Sequence, residues 1–353
     1  MCHIPATLAY LFAGRDRVNG YAQWNAESGS VQVVTDSLDI VVLGEKFHGL
    51  PPSSYAAALR ERLPDHDVRV ARTPDRARAL LETATVATGS DIDPALLDHA
   101  TELELFACAY AGYGHLPLDE LRSRDIAVTT ASGVHGPNAA EQALGFCLTF
   151  ARRLHEGWQR KQRREWRSYP TNEFAGSTVG VVGLGAIGQA VVERLDGFGV
   201  DTIGVRHSPE NGGPTDKVLG YGDIHEALAR SEYLILACPL TIDTRGLIDG
   251  TALETLPTDA VVVNISRGEV VETDALVDAL RRNHIDGAAL DVTDPEPLPE
   301  DHPLWGFENV LITPHNAGFT PEYHERLADI VAENVEKAVE TGEFEHLRNQ
   351  VLP

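Results

Sequence analysis

The chain has 353 residues, 43% of them hydrophobic, which is enough for two cores of ordinary domain size. Its formal charge of -24 repels polyanions and argues against a nucleic-acid partner. No stretch approaches the roughly 20 apolar residues of a membrane span, and Cys2, Cys108, Cys147 and Cys238, with neither CxxC nor metal-ligand spacing, fit a reducing cytoplasm and no metal site.

Residues 1–36 show no steady periodicity and no strong strand, and read as an N-terminal extension or the result of an early start codon. The apolar run Ala6–Ala13 is short and preceded only by His3, unlike a secretory signal. The first clear strand is Asp39–Leu43, continuous and apolar as in a buried parallel sheet. Helix Tyr55–Leu63, strand Val68–Ala71, helix Pro74–Thr83, strand Val86–Thr88, helix Pro94–His99 and strands Leu103–Ala109 and Ala127–Thr130 follow. A long helix opens near Pro137 and carries Leu144, Cys147, Leu148, Ala151 and Leu154 at helical spacing. Its basic end (Arg152, Arg153, Arg160, Lys161, Arg163, Arg164, Arg167) reads as cations near a helix C-terminus rather than a nucleic-acid patch.

A second series places strands at Thr178–Val182, Asp201–Val205, Tyr233–Ala237, Val261–Ile265, Ala288–Val292 and Val310–Thr313, with helices such as Ala186–Gly197 and Thr273–Asn283 between them. The last helix, Pro321–Thr341, is expected to return to the first domain. Such alternation implies an α/β fold of two doubly wound, Rossmann-like parallel sheets with helices on both faces. The expected division is an extension over 1–36, a substrate domain over 37–136 and 319–353, and a dinucleotide-binding domain over 137–318.

Gly183-Leu184-Gly185-Ala186-Ile187-Gly188 follows a strand and opens a helix, the context in which GxGxxG is informative. Gly183 permits the tight turn, Gly185 lets backbone approach a pyrophosphate, and Gly188 allows close helix–strand packing. An NAD site would place Asp or Glu at the end of the next strand, but Arg206-His207-Ser208 stand there. An arginine cannot accept from a ribose 2′-hydroxyl and can pair with a 2′-phosphate, so NADP is expected over NAD.

Three further segments close strands on the ligand side of such a sheet: Asn264–Gly268 with Arg267, Asp291 with Glu296 beyond it, and Thr313–Asn316 with His315. A guanidinium can hold the carboxylate and oxo group of a 2-oxo acid. A histidinium can protonate the oxygen as hydride reaches carbon, and a neighbouring carboxylate favours that ion and fixes its ring.

With these residues the sequence resembles the D-2-hydroxyacid dehydrogenase family over about residues 39 to 345. The motifs are VGVVGLGAIGQ (Val179–Gln189), PLTIDTRGLI (Pro239–Ile248), VVVNISRGEVV (Val261–Val271), GAALDVTDPEPLP (Gly287–Pro299) and NVLITPHNAG (Asn309–Gly318). The resemblance implies Arg267 as substrate binder, Glu296 as the histidine's partner and His315 as acid–base. It also implies a nicotinamide contact at Asp291, cofactor contacts at Pro239 and Thr244, and backbone of Ala111 and Gly112 against the substrate carboxylate. Tyr110 and His135 fall where relatives approach substrate, whereas His115 reads as structural. A homodimer built on the long helix and an active site in the cleft between domains are implied likewise.

Glutamine stands where Glu296 does in formate dehydrogenases, and phosphoglycerate dehydrogenases carry arginine near Ala87, so neither formate nor a phosphorylated acid is expected. A glyoxylate/hydroxypyruvate reductase and, from another class, a dinucleotide-sensing corepressor remain as alternatives. Of 29 basic residues only Lys46, Lys161, Lys217 and Lys337 are lysine. An acidic surface of that kind suits a cytosol at very high salt, where repulsion is screened within about 3 Å at 1 M, and points to a halophilic archaeal source.

Overall fold

The computed structural model describes residues 20–25, 30–35, 37–44 and 49–353. Cys2, the run Ala6–Ala13 and Lys46 lie outside them. The chain divides into two compact units: the described residues up to Val134 with Pro321–Pro353, and His135–Thr320.

The first unit opens with β1 (Gly20–Asn25) paired antiparallel to β2 (Ser30–Thr35) in a two-stranded sheet of its own. No strand was expected there, and this is a correction. The alternation Val31-Gln32-Val33 is a period-two signal, but too short to stand out from its polar surroundings. There follow β3 (Asp39–Leu43), α1 (Pro52–Arg62), β4 (Asp67–Ala71), α2 (Pro74–Leu81), β5 (Val86–Gly89), α3 (Pro94–Leu97), β6 (Leu105–Cys108), α4 (Leu118–Ser123) and β7 (Ala127–Thr129). The second unit contains α5 (Gly136–Ala151), α6 (Leu154–Gln162), β8 (Thr178–Val182), α7 (Ala186–Leu195), β9 (Asp201–Val205), β10 (Lys217–Leu219) and α8 (Ile224–Leu228). It continues with β11 (Tyr233–Leu236), α9 (Gly250–Thr255), β12 (Val261–Asn264), α10 (Thr273–Arg281), β13 (Gly287–Leu290) and β14 (Val310–Ile312). The chain then re-enters the first unit as α11 (Tyr323–Thr341) and β15 (Gln350–Leu352).

Strand order in the first unit is β15-β7-β6-β5-β3-β4, parallel except for β15, which adds antiparallel to β7. In the second it is β10-β9-β8-β11-β12-β13-β14, parallel throughout. Successive residues of each strand feed opposite cores. Val179, Val181, Ile235 and Val263 pack with α5 and α7, while Val182, Leu234, Leu236 and Val262 pack with α8, α9 and α10. In the first unit Ile40 and Val42 meet α1 and α11, and Val41 and Leu43 meet α2 and α3. Burial on both faces is why these strands read as unbroken apolar runs.

The long helix expected after Pro137 is two helices. α5 ends at Ala151, Arg153 takes φ 49°, and α6 restarts at Leu154, which is exposed rather than part of the core stripe. A left-handed residue stops the helical hydrogen-bond ladder, and apolar spacing alone does not reveal it. The basic end is correspondingly held by local ties. Arg160 pairs with Glu156, donates to the Arg167 carbonyl at 2.9 Å and lies 4.8 Å from the Tyr169 ring centre. The elements with no counterpart in the sequence reading (α4, α8, α9, β10 and β15) are three to six residues long, too short for periodicity to register. No helix of the described residues is long and apolar enough to cross a membrane.

Candidate active site

In the second unit the strand order reverses between β8 and β11. Such a switch opens a crevice beyond the carboxyl ends of the strands. With neighbouring strands about 4.8 Å apart, the loops after β8, β11, β12, β13 and β14 form a row about 19 Å long.

The turn after β8 is shaped by its glycines. Gly183 has φ 97°, and a Cβ on it would lie 2.6 Å from Cys238 Cα. A Cβ on Gly188 would lie 1.8 Å from the Gly183 carbonyl oxygen, so α7 packs on the strand backbone itself. Gly185 differs: a Cβ there would meet nothing within 4 Å, and Gly185 begins α7 with no side-chain cap. The first N–H groups of α7, from Ala186 and Ile187 onward, are thus left for an anion, and the turn fits a dinucleotide pyrophosphate. In the loop after β11 Pro239 is exposed. Thr244 is buried, donating to the Pro239 carbonyl at 2.6 Å and accepting from Thr241 N–H at 2.8 Å, so its hydroxyl braces the loop.

Arg206 follows β9. Its N–H donates to the Leu219 carbonyl at 3.0 Å and its Nη1 to the Gly212 carbonyl at 2.7 Å. Among the described residues it has no ion-pair partner, so its positive charge is not neutralised by a carboxylate. His207, mostly exposed, has its Nδ1 3.7 Å from Asp243, and Ser208 is half-buried beside it.

On the other side of the switch, Asn264 at the end of β12 is buried and brackets the next turn. Its Oδ1 accepts from Ser266 N–H (3.0 Å) and Oγ–H (2.8 Å), and its Nδ2 donates to the Arg267 carbonyl at 2.9 Å. Arg267 is left exposed, with Nη1 donating to the Ser266 carbonyl at 2.6 Å. Gly268 seats this turn against the loop after β13, because a Cβ on it would fall 2.0 Å from the Thr293 carbonyl oxygen. Glu296, exposed in that loop, reaches His315, whose Nδ1 lies 2.7 Å from Glu296 Oε1. A carboxylate only accepts, so Nδ1 carries the proton toward it and Nε2 points away, available to a reactant.

His315 itself has φ 51°, a sparsely populated conformation for a non-glycine residue that needs outside support. Asp291 supplies it. Its buried carboxylate accepts from Thr313 Oγ1 (2.5 Å), Asn316 N–H (2.8 Å) and Ala317 N–H (2.9 Å), and its carbonyl accepts from His315 N–H at 2.7 Å. The sequence reading missed this bracket and that of Asn264. The signal was present in polar residues closing the apolar strands β12 and β13.

The remaining substrate candidates belong to the first unit, in the loop after β6. Tyr110, Ala111 and Gly112 are exposed there, and a Cβ on Gly112 would meet nothing within 4 Å. His115 Nε2 is 2.7 Å from the Ser90 carbonyl, an anchoring contact. His135 begins α5 in the second unit, its ring against Gly318. No group of three or more His, Cys, Asp or Glu that could hold a metal occurs among the described residues.

The family described as D-isomer specific 2-hydroxyacid dehydrogenase, NAD binding domain, matches residues 144–317. The chain is 36% identical over 251 residues to the glyoxylate reductase/hydroxypyruvate reductase of Mus musculus, covering 69% of this chain and 76% of that protein. It is 33% identical over 319 residues to the D-3-phosphoglycerate dehydrogenase of Mycobacterium tuberculosis, 87% of this chain but 58% of that longer one. Among solved structures, a D-isomer specific 2-hydroxyacid dehydrogenase from Xanthobacter autotrophicus Py2 in complex with NADPH and MES matches with TM-score 0.71 and 30% identity, over 89% of this chain and 98% of that one.

Proposed function

The chain belongs to the D-isomer specific 2-hydroxyacid dehydrogenase family, oxidoreductases acting on the CH–OH group of 2-hydroxy acids, and we propose that it works as an NADPH-preferring reductase of a small 2-oxo acid, glyoxylate or hydroxypyruvate. The observation that carries the chemistry is the His315–Glu296 contact at 2.7 Å, made from the same loop on which, at Thr293, Gly268 of the Arg267 turn is seated. When bound, the dinucleotide supplies the hydride. Arg267 holds the substrate carboxylate and oxo group through paired donors. Glu296 fixes the His315 ring, and His315 delivers the proton from Nε2 to the carbonyl oxygen as carbon receives the hydride. One hydride and one proton convert the 2-oxo acid to the 2-hydroxy acid.

An unphosphorylated substrate is supported by Ala87, a small buried residue of β5 near which the family resemblance implies a phosphate-holding arginine in most phosphoglycerate dehydrogenases. NADPH is supported by Arg206, which has no carboxylate partner among the described residues, with His207 and Ser208 as further donors. A homodimer follows from the family resemblance. A cytoplasm at high salt, as in a halophilic archaeon, follows from the acidic, lysine-poor composition.

One charge-assisted hydrogen bond contributes about 1.5–3 kcal/mol, so NADPH should bind at least about tenfold more tightly than NADH. Arg206→Asp should reverse the preference. Titrating both cofactors with hydroxypyruvate at fixed KCl tests this, and equal KM values in the wild type would overturn it. Tight NADPH binding with no turnover of any 2-oxo acid would favour a dinucleotide-sensing role instead.

A further inference from the structure

We propose that Asn138 and Gln142 on α5 are positioning residues for the catalytic histidine, gripping the two ends of the turn that carries His315. The inference rests on His315 being the acid–base. Asn138 Nδ2 donates to the Ala317 carbonyl at 2.5 Å, and Gln142 Nε2 donates to Thr313 Oγ1 at 3.4 Å. Four residues apart on one helix, the two amides lie on the same face one turn from each other. The residues they hold flank His315 on both sides.

The grip continues inward. Thr313 donates its hydroxyl to Asp291 Oδ1, and Ala317 donates its N–H to Asp291 Oδ2, so each end of the turn is held between α5 and the carboxylate that follows β13. His315, at φ 51° between these ends, does not hold that conformation by its own preference. α5 is a firm support, since Ala139, Ala143, Leu144 and Cys147 are buried in the core that also contains Val179 and Val181 of β8. The choice of amides is chemically apt. An amide donates to a carbonyl or hydroxyl without adding a net charge beside the Asp291 carboxylate, which the same Thr313 and Ala317 also hold. The GPNAAEQ segment therefore has a role that its helix-opening pattern does not convey.

Asn138→Leu tests the grip, because it nearly keeps the volume and removes the donor to the Ala317 carbonyl without adding a charge. Gln142→Met removes the other donor at similar size, and serves as well if the first variant does not fold. In each, kcat for 2-oxo acid reduction should fall about 5- to 20-fold with NADPH affinity and melting temperature close to wild type. The loss should fall on kcat and kcat/KM alike, with KM for the 2-oxo acid unchanged, because a displaced proton donor is missed only in the transition state. Unchanged kcat in both variants would overturn the proposal. So would a lowered melting temperature with kcat intact, which marks a purely structural tie. His315→Ala, measured alongside, separates the two levels. Wild-type turnover there removes the acid–base reading itself, whereas lost turnover there with unaffected amide variants removes only the positioning role.

Discussion

At the scale of single residues, the chemistry depends on side chains whose own placement is fixed by buried polar neighbours. Arg267 is exposed, yet the turn that carries it is stapled by three hydrogen bonds from the buried Asn264 amide. Its planar fork can meet a carboxylate and an oxo group together, which a single ammonium cannot. Arg267→Lys should lower kcat/KM for the 2-oxo acid by about 10- to 100-fold, the loss of one charge-assisted hydrogen bond, with NADPH affinity retained. Steady-state kinetics with fluorescence titration of NADPH would check this, and wild-type kcat/KM would show that Arg267 does not touch substrate. Arg267, Glu296 and His315 stood out in the sequence because each is a residue of reactive type in a loop that follows an apolar strand, and the structure brings Glu296 and His315 together. The supports were less so. That Asp291 collects three donors from the His315 turn depends on β13 and β14 being neighbours, a fact of three dimensions.

At the scale of elements, the strands buried on both faces were the most legible. β3, β8 and β9 begin and end where continuous apolar runs predict. Elements defined by interruption were not, as the break at Arg153 between α5 and α6 shows. The β8–α7 turn lets two glycine roles be told apart. Gly188→Ala would drive a Cβ to within 1.8 Å of the Gly183 carbonyl oxygen, so both melting temperature and dinucleotide affinity should drop. Gly185→Ala has open space for its Cβ and an ordinary φ of -80°, so the fold should melt as wild type while dinucleotide affinity falls about tenfold or more. Differential scanning calorimetry with NADPH titration distinguishes them. Undiminished affinity in Gly185→Ala would mean that no phosphate approaches this turn.

At the scale of the whole molecule, a formal charge of -24 on 353 residues is a load that salt should relieve. Carboxylates repel across about 10 Å at 0.1 M salt but only about 3 Å at 1 M, so melting temperature should climb steeply as KCl rises toward molar concentration. A flat profile would leave the composition without that physical role. Composition made this expectation available before any fold was known, whereas the reaction needed the loops of five strands brought to one edge of a sheet. Whether that edge reduces a 2-oxo acid with His315 as the proton donor is tested most directly by following NADPH oxidation with hydroxypyruvate and glyoxylate in wild type and His315→Ala, with NADPH affinity measured in both. Wild-type turnover, a kcat about 10²- to 10⁴-fold lower in the variant, and unchanged NADPH affinity are the expected result. Near-normal turnover in His315→Ala would contradict it.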